Sequence, residues 1–283
     1  MAGLDYQHAP LPLGHVTPTQ LSQLALRARH ETEEYSCWSM EVMALAVSIL
    51  NRKFRHEKRG VARFCNAYVG IMGDSAYSIK HNPIPEDANK VILVGRDPDT
   101  KIWICAYFRK KDGEVRGKIY DGVVKRQEVL AVVPEDVTGG VVLTHQETVG
   151  PTHDIRMKRL IERLDTVFGS DPWFTAVNGR SPTVPVRDCS ITTISTHHQS
   201  GPFSLAWGEF MVHGWPVQLT TDPSATGCLP FAWGAVPSSI VHNARGDGEE
   251  SWMDRWTSIW EYRFECVAKN KAYKYTIDTD DWE

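Results

Sequence analysis

A chain of 283 residues, 42% apolar and 23% charged, is long enough to bury a sizeable core and has the make-up of an ordinary globular protein. Its formal net charge of -4 supplies no bulk attraction to nucleic acid, although bulk charge does not report how charge is distributed. The first residues, Met1 to His15, lack the basic and apolar regions of a signal peptide. The most apolar helical run, Val42 to Leu50, is far shorter than the roughly 20 residues a bilayer needs. The expectation is a cytoplasmic or nuclear chain with no membrane partner.

Six cysteines, Cys37, Cys65, Cys105, Cys189, Cys228 and Cys266, are scattered singly. That pattern in a chain of this size predicts reduced thiols. No Cys/His pair has finger-like spacing, so no metal and no cofactor is expected. The ten tryptophans suit a Trp-rich core, with an aromatic-lined cleft as the sharper alternative.

In chain order, residues 1–16 are Pro-rich and read as an extended segment. Thr17-Pro18-Thr19-Gln20 gives a threonine cap with proline in the first turn, predicting a helix to about Arg29 whose inner face is Leu21, Leu24, Ala25 and Ala28. Trp38 to Leu50 is apolar nearly all round and reads as an interior helix. Lys90 to Val94 and Lys101 to Phe108 read as strands. Asp112-Gly113 is a hairpin turn that supplies positive φ, and Val115 to Tyr120 returns as a third strand. Val129 to Val133 fits a strand or a helix.

Thr152 to Phe168 is an amphipathic helix with Ile155, Leu160, Ile161, Leu164 and Phe168 on one side. Residues 169–187 read as a loop. Ser190 to Ser195 fits a strand by propensity or a buried helix. Residues 201–240 resemble irregular structure with short strands, Glu249 to Trp260 looks helical, and Tyr262 to Ile277 alternates like one or two strands. With no repeat and no linker, residues 17–283 are expected to form one domain, of which 201–283 is an elaboration.

Two thiols are candidate nucleophiles. Ser36-Cys37-Trp38 sits at the predicted start of the buried helix, where the partial positive charge of a helix N-terminus favours a thiolate. The papain-type thiol proteases have a similar S-C-W. The competing reading is a small buried apolar cysteine. Asp188-Cys189-Ser190 follows the Pro-rich loop and gains weight from its context. Trp38-Ser39-Met40-Glu41-Val42-Met43 resembles the W-L-x-D-x-x-I helix of the Ulp/SENP ubiquitin-like-protein proteases. Lys101-Ile102-Trp103-Ile104 resembles that family's His-Trp strand. Ile119-Tyr120-Asp121-Gly122 is similar to its Tyr-Asp-Ser, and Asp188-Cys189-Ser190 to its Asp-Cys-Gly. The four blocks fall in the family's order over about residues 35–200.

The resemblance implies an α+β, cysteine-protease-like fold with a central, mostly antiparallel sheet flanked by helices. It implies Cys189 as nucleophile and Asp121 as an orienter or polar support, with Trp38 and Trp103 walling a substrate cleft. The chain departs from the pattern at three places. Ile102 stands where the family has its catalytic His. Thr183 to Arg187 lacks the oxyanion-hole Gln, and Ser190 replaces a Gly. Lacking that His, an ordinary thiol is mostly protonated at neutral pH. His145, His153, His197, His198 and His213 are candidate substitutes in what read as polar stretches.

The function expected is thiol-dependent acyl transfer on a peptide or protein substrate, resolved by water or by an amine. The alternative is a non-catalytic module that holds a peptide or ubiquitin-like tail on the same fold. No GxGxxG after a strand, GxxxxGK[ST], HExxH or GxSxG motif is present. The run Arg52 to Arg59 is the densest positive charge, either a solvated helix end or a site for an acidic partner or RNA.

Overall fold

The computed structural model describes residues 17–34, 37–59, 66–122, 126–134, 141–149, 151–178, 184–188, 199–213 and 252–269. Helix α1 (Pro18–Glu33) begins at a complete capping box. The Thr17 hydroxyl accepts from the Gln20 backbone N–H, and the Gln20 side chain accepts in return from the Thr17 N–H. Its buried residues are Leu21, Ala25, Ala28 and Thr32, close to the face expected from their spacing.

Helix α2 (Met40–Arg59) is followed by strands β1 (Ala67–Ile71), β2 (Lys90–Arg96), β3 (Trp103–Lys111) and β4 (Glu114–Tyr120). Strands β5 (Arg126–Pro134) and β6 (Val141–Val149) form a separate antiparallel pair. Then come α3 (Pro151–Ser170), α4 (Pro172–Asn178), β7 (Val186–Asp188), α5 (Ser200–His213) and α6 (Trp252–Ala268).

The main sheet has the order β1-β2-β3-β4-β7. Its three central strands are antiparallel and its two outer strands pair in parallel, so antiparallel pairing dominates once β5–β6 is included. This is the α+β architecture the sequence suggested, a sheet flanked by helices. The β3–β4 turn is the Asp112-Gly113 hairpin, with φ of 53° and 81°, values that glycine and aspartate accept most readily.

Both faces of the sheet are covered, and the period-2 alternation sorts its residues between two cores. Ile92, Val94, Trp103, Cys105, Tyr107 and Tyr120 join α1, α2, α5 and α6 on one side. Val91, Leu93, Ile102, Ile104, Ala106, Phe108 and Ile119 join α3 and α4 on the other.

Several segments differ from the sequence reading. Residues 200–213 are helix α5, not irregular structure. Gly208 there is a packing device, because a Cβ would come within 2.9 Å of the Ile92 side chain. Helix α6 runs on to Ala268 where strands were expected. Trp260, Arg263, Phe264 and Val267 are all buried, a helical spacing that outweighs apparent alternation. The segment read as a loop holds α4 and β7. On α3 the buried residues include Arg156, Met157, Leu160, Leu164, Val167 and Phe168, while Ile155 and Ile161 are exposed. Ile155 lies off the stripe that a 100° step defines, whereas Ile161 falls at its edge, beside Phe168. Residues 1–16, Cys65, the segment 189–198 and Cys228 lie outside the described residues.

A buried ionic network ties α2, α5 and α6 together behind the sheet. Glu209 accepts from Lys53 and makes a forked pair with Arg263 at 3.1–3.2 Å. The Lys53 ammonium lies 3.4 Å from His213 Nε2. Burial pushes the Glu209 carboxyl up, but Arg263 and Lys53 more than reverse it, leaving it well below the usual range. Burial, then Lys53, hold the His213 imidazole down to about 3, with Lys90 and Arg263 adding to the effect and Glu209 opposing it.

A histidine held neutral in the fold but basic when unfolded stabilises the protein fully above its unfolded pKa of about 6.5 and progressively less as pH falls toward 3. Glu209, also depressed, adds to the loss once pH drops below about 4.5. Urea unfolding of wild type should therefore weaken between pH 6.5 and 4. His213→Gln should flatten that dependence by up to about 1.4 kcal/mol per pH unit, and superimposable profiles would dissociate His213 from it.

Candidate functional site

One end of the main sheet gathers most of the residues singled out from the sequence. There β1 and β2 end, β3 begins, and β4 and β7 end. Trp103 at the start of β3 lies opposite Arg96 at the end of β2, and Cys105 lies opposite Tyr120. Asp121 directly follows β4. Strand β7 runs parallel to β4 and pairs Asp188 with Ile119. Cys189, the next residue in the chain, lies outside the described residues.

Asp121 is fully buried. Its Oδ2 accepts hydrogen bonds from Arg156 Nε at 2.9 Å and Nη2 at 2.7 Å, and Arg156 is itself 4% exposed. A charge-assisted pair in so dry a place needs both partners, because either one alone would be a desolvated charge. Ile102, where the family resemblance would require a histidine, packs in the core on the α3 side, the side from which Arg156 reaches Asp121. Asp121 therefore serves as the anchor of α3 in this structure.

Arg156 is one of three arginines on α3 that reach the strand ends. Arg159 pairs with Asp97 at 3.1 Å and with Asp99 at 2.6 Å. Arg163 donates from Nη1 to the Arg96 carbonyl at 2.7 Å. Asp97 also accepts from the Thr100 N–H and hydroxyl. Burial pushes its carboxyl up, and the Thr100 and Arg159 bonds bring it below the ordinary value. The sequence reading missed this stripe, although R-x-x-R-x-x-x-R is a helical-face spacing visible in the letters.

Cys37 precedes helix α2 by three residues rather than opening it, and Ser39 is the residue at the helix start. The Ser39 hydroxyl lies 3.4 Å from the Val42 N–H, while Glu31 accepts from the Ser39 N–H at 3.1 Å. Cys37 is half-buried, and burial pushes its thiol up against a smaller opposing effect of the Arg96 charge. The thiolate-favouring position expected for Cys37 is thus not what this structure gives it. Cys105 is fully buried, with its thiol driven well above the ordinary value by desolvation.

Trp38 and Trp103 are both fully buried. Trp38 donates to the Thr32 hydroxyl at 2.9 Å and packs edge-on against Trp260, with centroids 5.3 Å apart. Gly201 leaves room for it, since a Cβ there would meet the indole at 3.0 Å. Trp103 donates to the Trp38 carbonyl at 3.0 Å. Its own backbone N–H donates to Ser200 Oγ and its carbonyl accepts from Ser204 Oγ. With their surface and their N–H groups spent inside the protein, these indoles are core braces between β3, α5 and the lead-in to α2, not walls of an open cleft.

His213 lies far along α5, within the buried ionic network, and not in a polar loop. His197 and His198 fall outside the described residues. Among the described residues no cluster of His, Cys, Asp or Glu could hold a metal, and no helix is long and apolar enough to cross a membrane.

No family model matches the sequence, and no curated protein matches it. Solved structures do resemble the fold in outline. The C-terminal protease domain of Ulp1 in complex with Smt3, the yeast ortholog of SUMO, matches with 6% identity and a TM-score of 0.43, covering 89% of this chain and 94% of that one. Ulp1 with its catalytic cysteine oxidised to a sulfonic acid gives 4% identity, a TM-score of 0.43 and the same coverage. HopZ1a in complex with IP6 gives 13% identity and a TM-score of 0.36, covering 91% of this chain and 94% of that one. At such identities no residue role transfers.

The buried pair yields a stability test. Asp121→Asn and Arg156→Met should each cost about 3–5 kcal/mol, because each strands a buried charge. Asp121→Leu combined with Arg156→Met should recover most of that loss. Urea denaturation checks this, and single losses below about 1 kcal/mol would show that the pair does not hold α3.

Proposed function

We propose that this chain carries out thiol-dependent acyl transfer with Cys189 as the nucleophile. The observation that supports it is the register of β7 on β4. Asp188, immediately before Cys189 in sequence, pairs with Ile119, two residues before Asp121. Chain segments distant in sequence thereby converge on one end of the sheet. In the reaction, the Cys189 sulfur bonds to a substrate carbonyl carbon, the C–N bond breaks, and the leaving amine takes up a proton. Water or a second amine then displaces the sulfur, returning the thiol and giving a hydrolase or a transferase outcome. Asp121 acts as a positioning residue by fixing Arg156 and α3. The substrate is a peptide or protein. The Arg52 to Arg59 run, with Lys53 buried against Glu209, does not enter this reading.

A second reading has one specific observation behind it. Ile102 occupies the expected base position and Asp121 is engaged by Arg156, which suits a module that binds a peptide or ubiquitin-like tail without turning it over.

Alkylation of the full chain by iodoacetamide at neutral pH, followed by peptide mapping, separates the two. The catalytic reading expects Cys189 to react at least tenfold faster than Cys37, whose thiol burial pushes up. It also expects Cys189→Ala to abolish cleavage or transfer on a fluorogenic peptide amide while Cys37→Ala retains it. An inert Cys189, or activity that survives Cys189→Ala, would overturn the catalytic reading.

A further inference from the structure

A cavity of about 730 Å³ opens at the C-terminal ends of β1 and β2, between the last turns of α3 and the first residue of α2. Its size falls within the usual range for ligand sites. Apolar surface comes from Met40, Met72, Ile79 and Val167. Charge comes from Lys80, Arg96, Lys101 and Arg163, opposed by Asp74, Asp97 and Asp171.

The two sets of charges are not equally available. Asp97 is held by Thr100 and Arg159. Asp171 accepts from the Trp173 N–H at 2.9 Å and the Ile84 N–H at 3.5 Å. Arg163 is the member of the α3 stripe that pairs with a backbone carbonyl rather than a carboxylate. Arg96 donates to the Lys101 carbonyl and lies 5.9 Å from the Trp103 ring centroid. Neither arginine has a carboxylate partner among the described residues. Among the described residues Lys80 pairs only with Asp74, at 3.5 Å, where both side chains are largely exposed, a pair of little energetic weight.

We infer that this cleft recognises an acidic peptide segment, with carboxylate side chains meeting Arg163, Arg96 and Lys80 and intervening apolar side chains covering the methionines and Val167. Two guanidinium groups suit carboxylates, which they can grip with paired hydrogen bonds. Interspersed Asp74, Asp97 and Asp171 argue against a polyphosphate chain, whose closely spaced charges would meet them. An extended peptide instead places same-side residues about 6.6 Å apart, so its charges can be spaced to fit. The inference does not depend on which thiol reacts.

The test is fluorescence polarisation of the full-length chain with a labelled, capped peptide alternating Glu and Leu, beside the same peptide with Gln for Glu. The Glu peptide should bind at least tenfold more tightly. Arg163→Gln should weaken it about tenfold, and the surface change Lys80→Gln several-fold, with neither altering affinity for the Gln peptide. Cys189→Ala should leave the Glu peptide's affinity unchanged, so loss of catalysis and loss of recognition are distinguishable. Equal binding of the two peptides, or indifference to both Arg163→Gln and Lys80→Gln, overturns the inference. So does stronger competition from inorganic phosphate or oligouridylate than from unlabelled peptide, which would make the cleft a phosphate site.

Discussion

Asp121 and Arg156 meet with almost no access to water, and their pairing positions the whole of α3. In that setting the attraction between opposite charges is weighed against the cost of stripping both of solvent, and the pair's value lies chiefly in being specific about place. Once Arg156 is fixed beyond the end of β4, helical periodicity carries Arg159 to Asp97 beyond β2 and Arg163 to the Arg96 carbonyl. One helix thus spans the strand ends, roofs the α3-side core through Met157, Leu160, Leu164 and Phe168, and forms one wall of the cleft. An apolar replacement of the pair could keep stability, but it would give up the geometric address that two hydrogen bonds to one carboxylate oxygen define.

A second ionic centre lies behind the other face of the sheet. Glu209 gathers Lys53 and Arg263, while Arg263 also lies 4.5 Å from the Trp260 ring centroid. Burial first, and then the surplus of cations over carboxylate, keeps His213 neutral. Both centres set a buried acid against helix-borne cations: Asp121 against Arg156 of α3, and Glu209 against Lys53 of α2 and Arg263 of α6.

The parts of this fold that the sequence showed are those written by local rules. Strands β2 and β3 were legible as short apolar runs, β4 because it returns from the Asp-Gly turn, and α2 because its apolar run is too long for a strand. The parts it hid depend on partners distant in the chain. Strand β7 has three residues and exists through its pairing with β4. Helix α5 contains Gly201, Pro202 and Gly208, which read locally as breakers. In the fold, proline sits in the first turn and each glycine admits a neighbour, Trp38 or Ile92, at close range. Trp38 and Trp103 were expected to wall a cleft, because their letters could not distinguish a cleft wall from a core brace. That distinction rests on Thr32, Ser200 and Ser204 satisfying the polar atoms around them. Cys37 was placed at a helix start that proved to be three residues further on.

The pairing of β7 with β4 also bears on how the chain reaches this fold. Residues 121–185 separate the two strands, whereas β2, β3 and β4 follow one another through short turns. The entropy of closing the longer loop rises only slowly with its length, but it must be met before the contact returns anything. The central meander can therefore assemble while the edge of β4 is still bare. An uncovered edge invites pairing with another chain, so β7 acts as a late-arriving cover. On a ribosome, that cover cannot dock until residues 186–188 have emerged, so the sheet is completed only after β5, β6, α3 and α4 have been made.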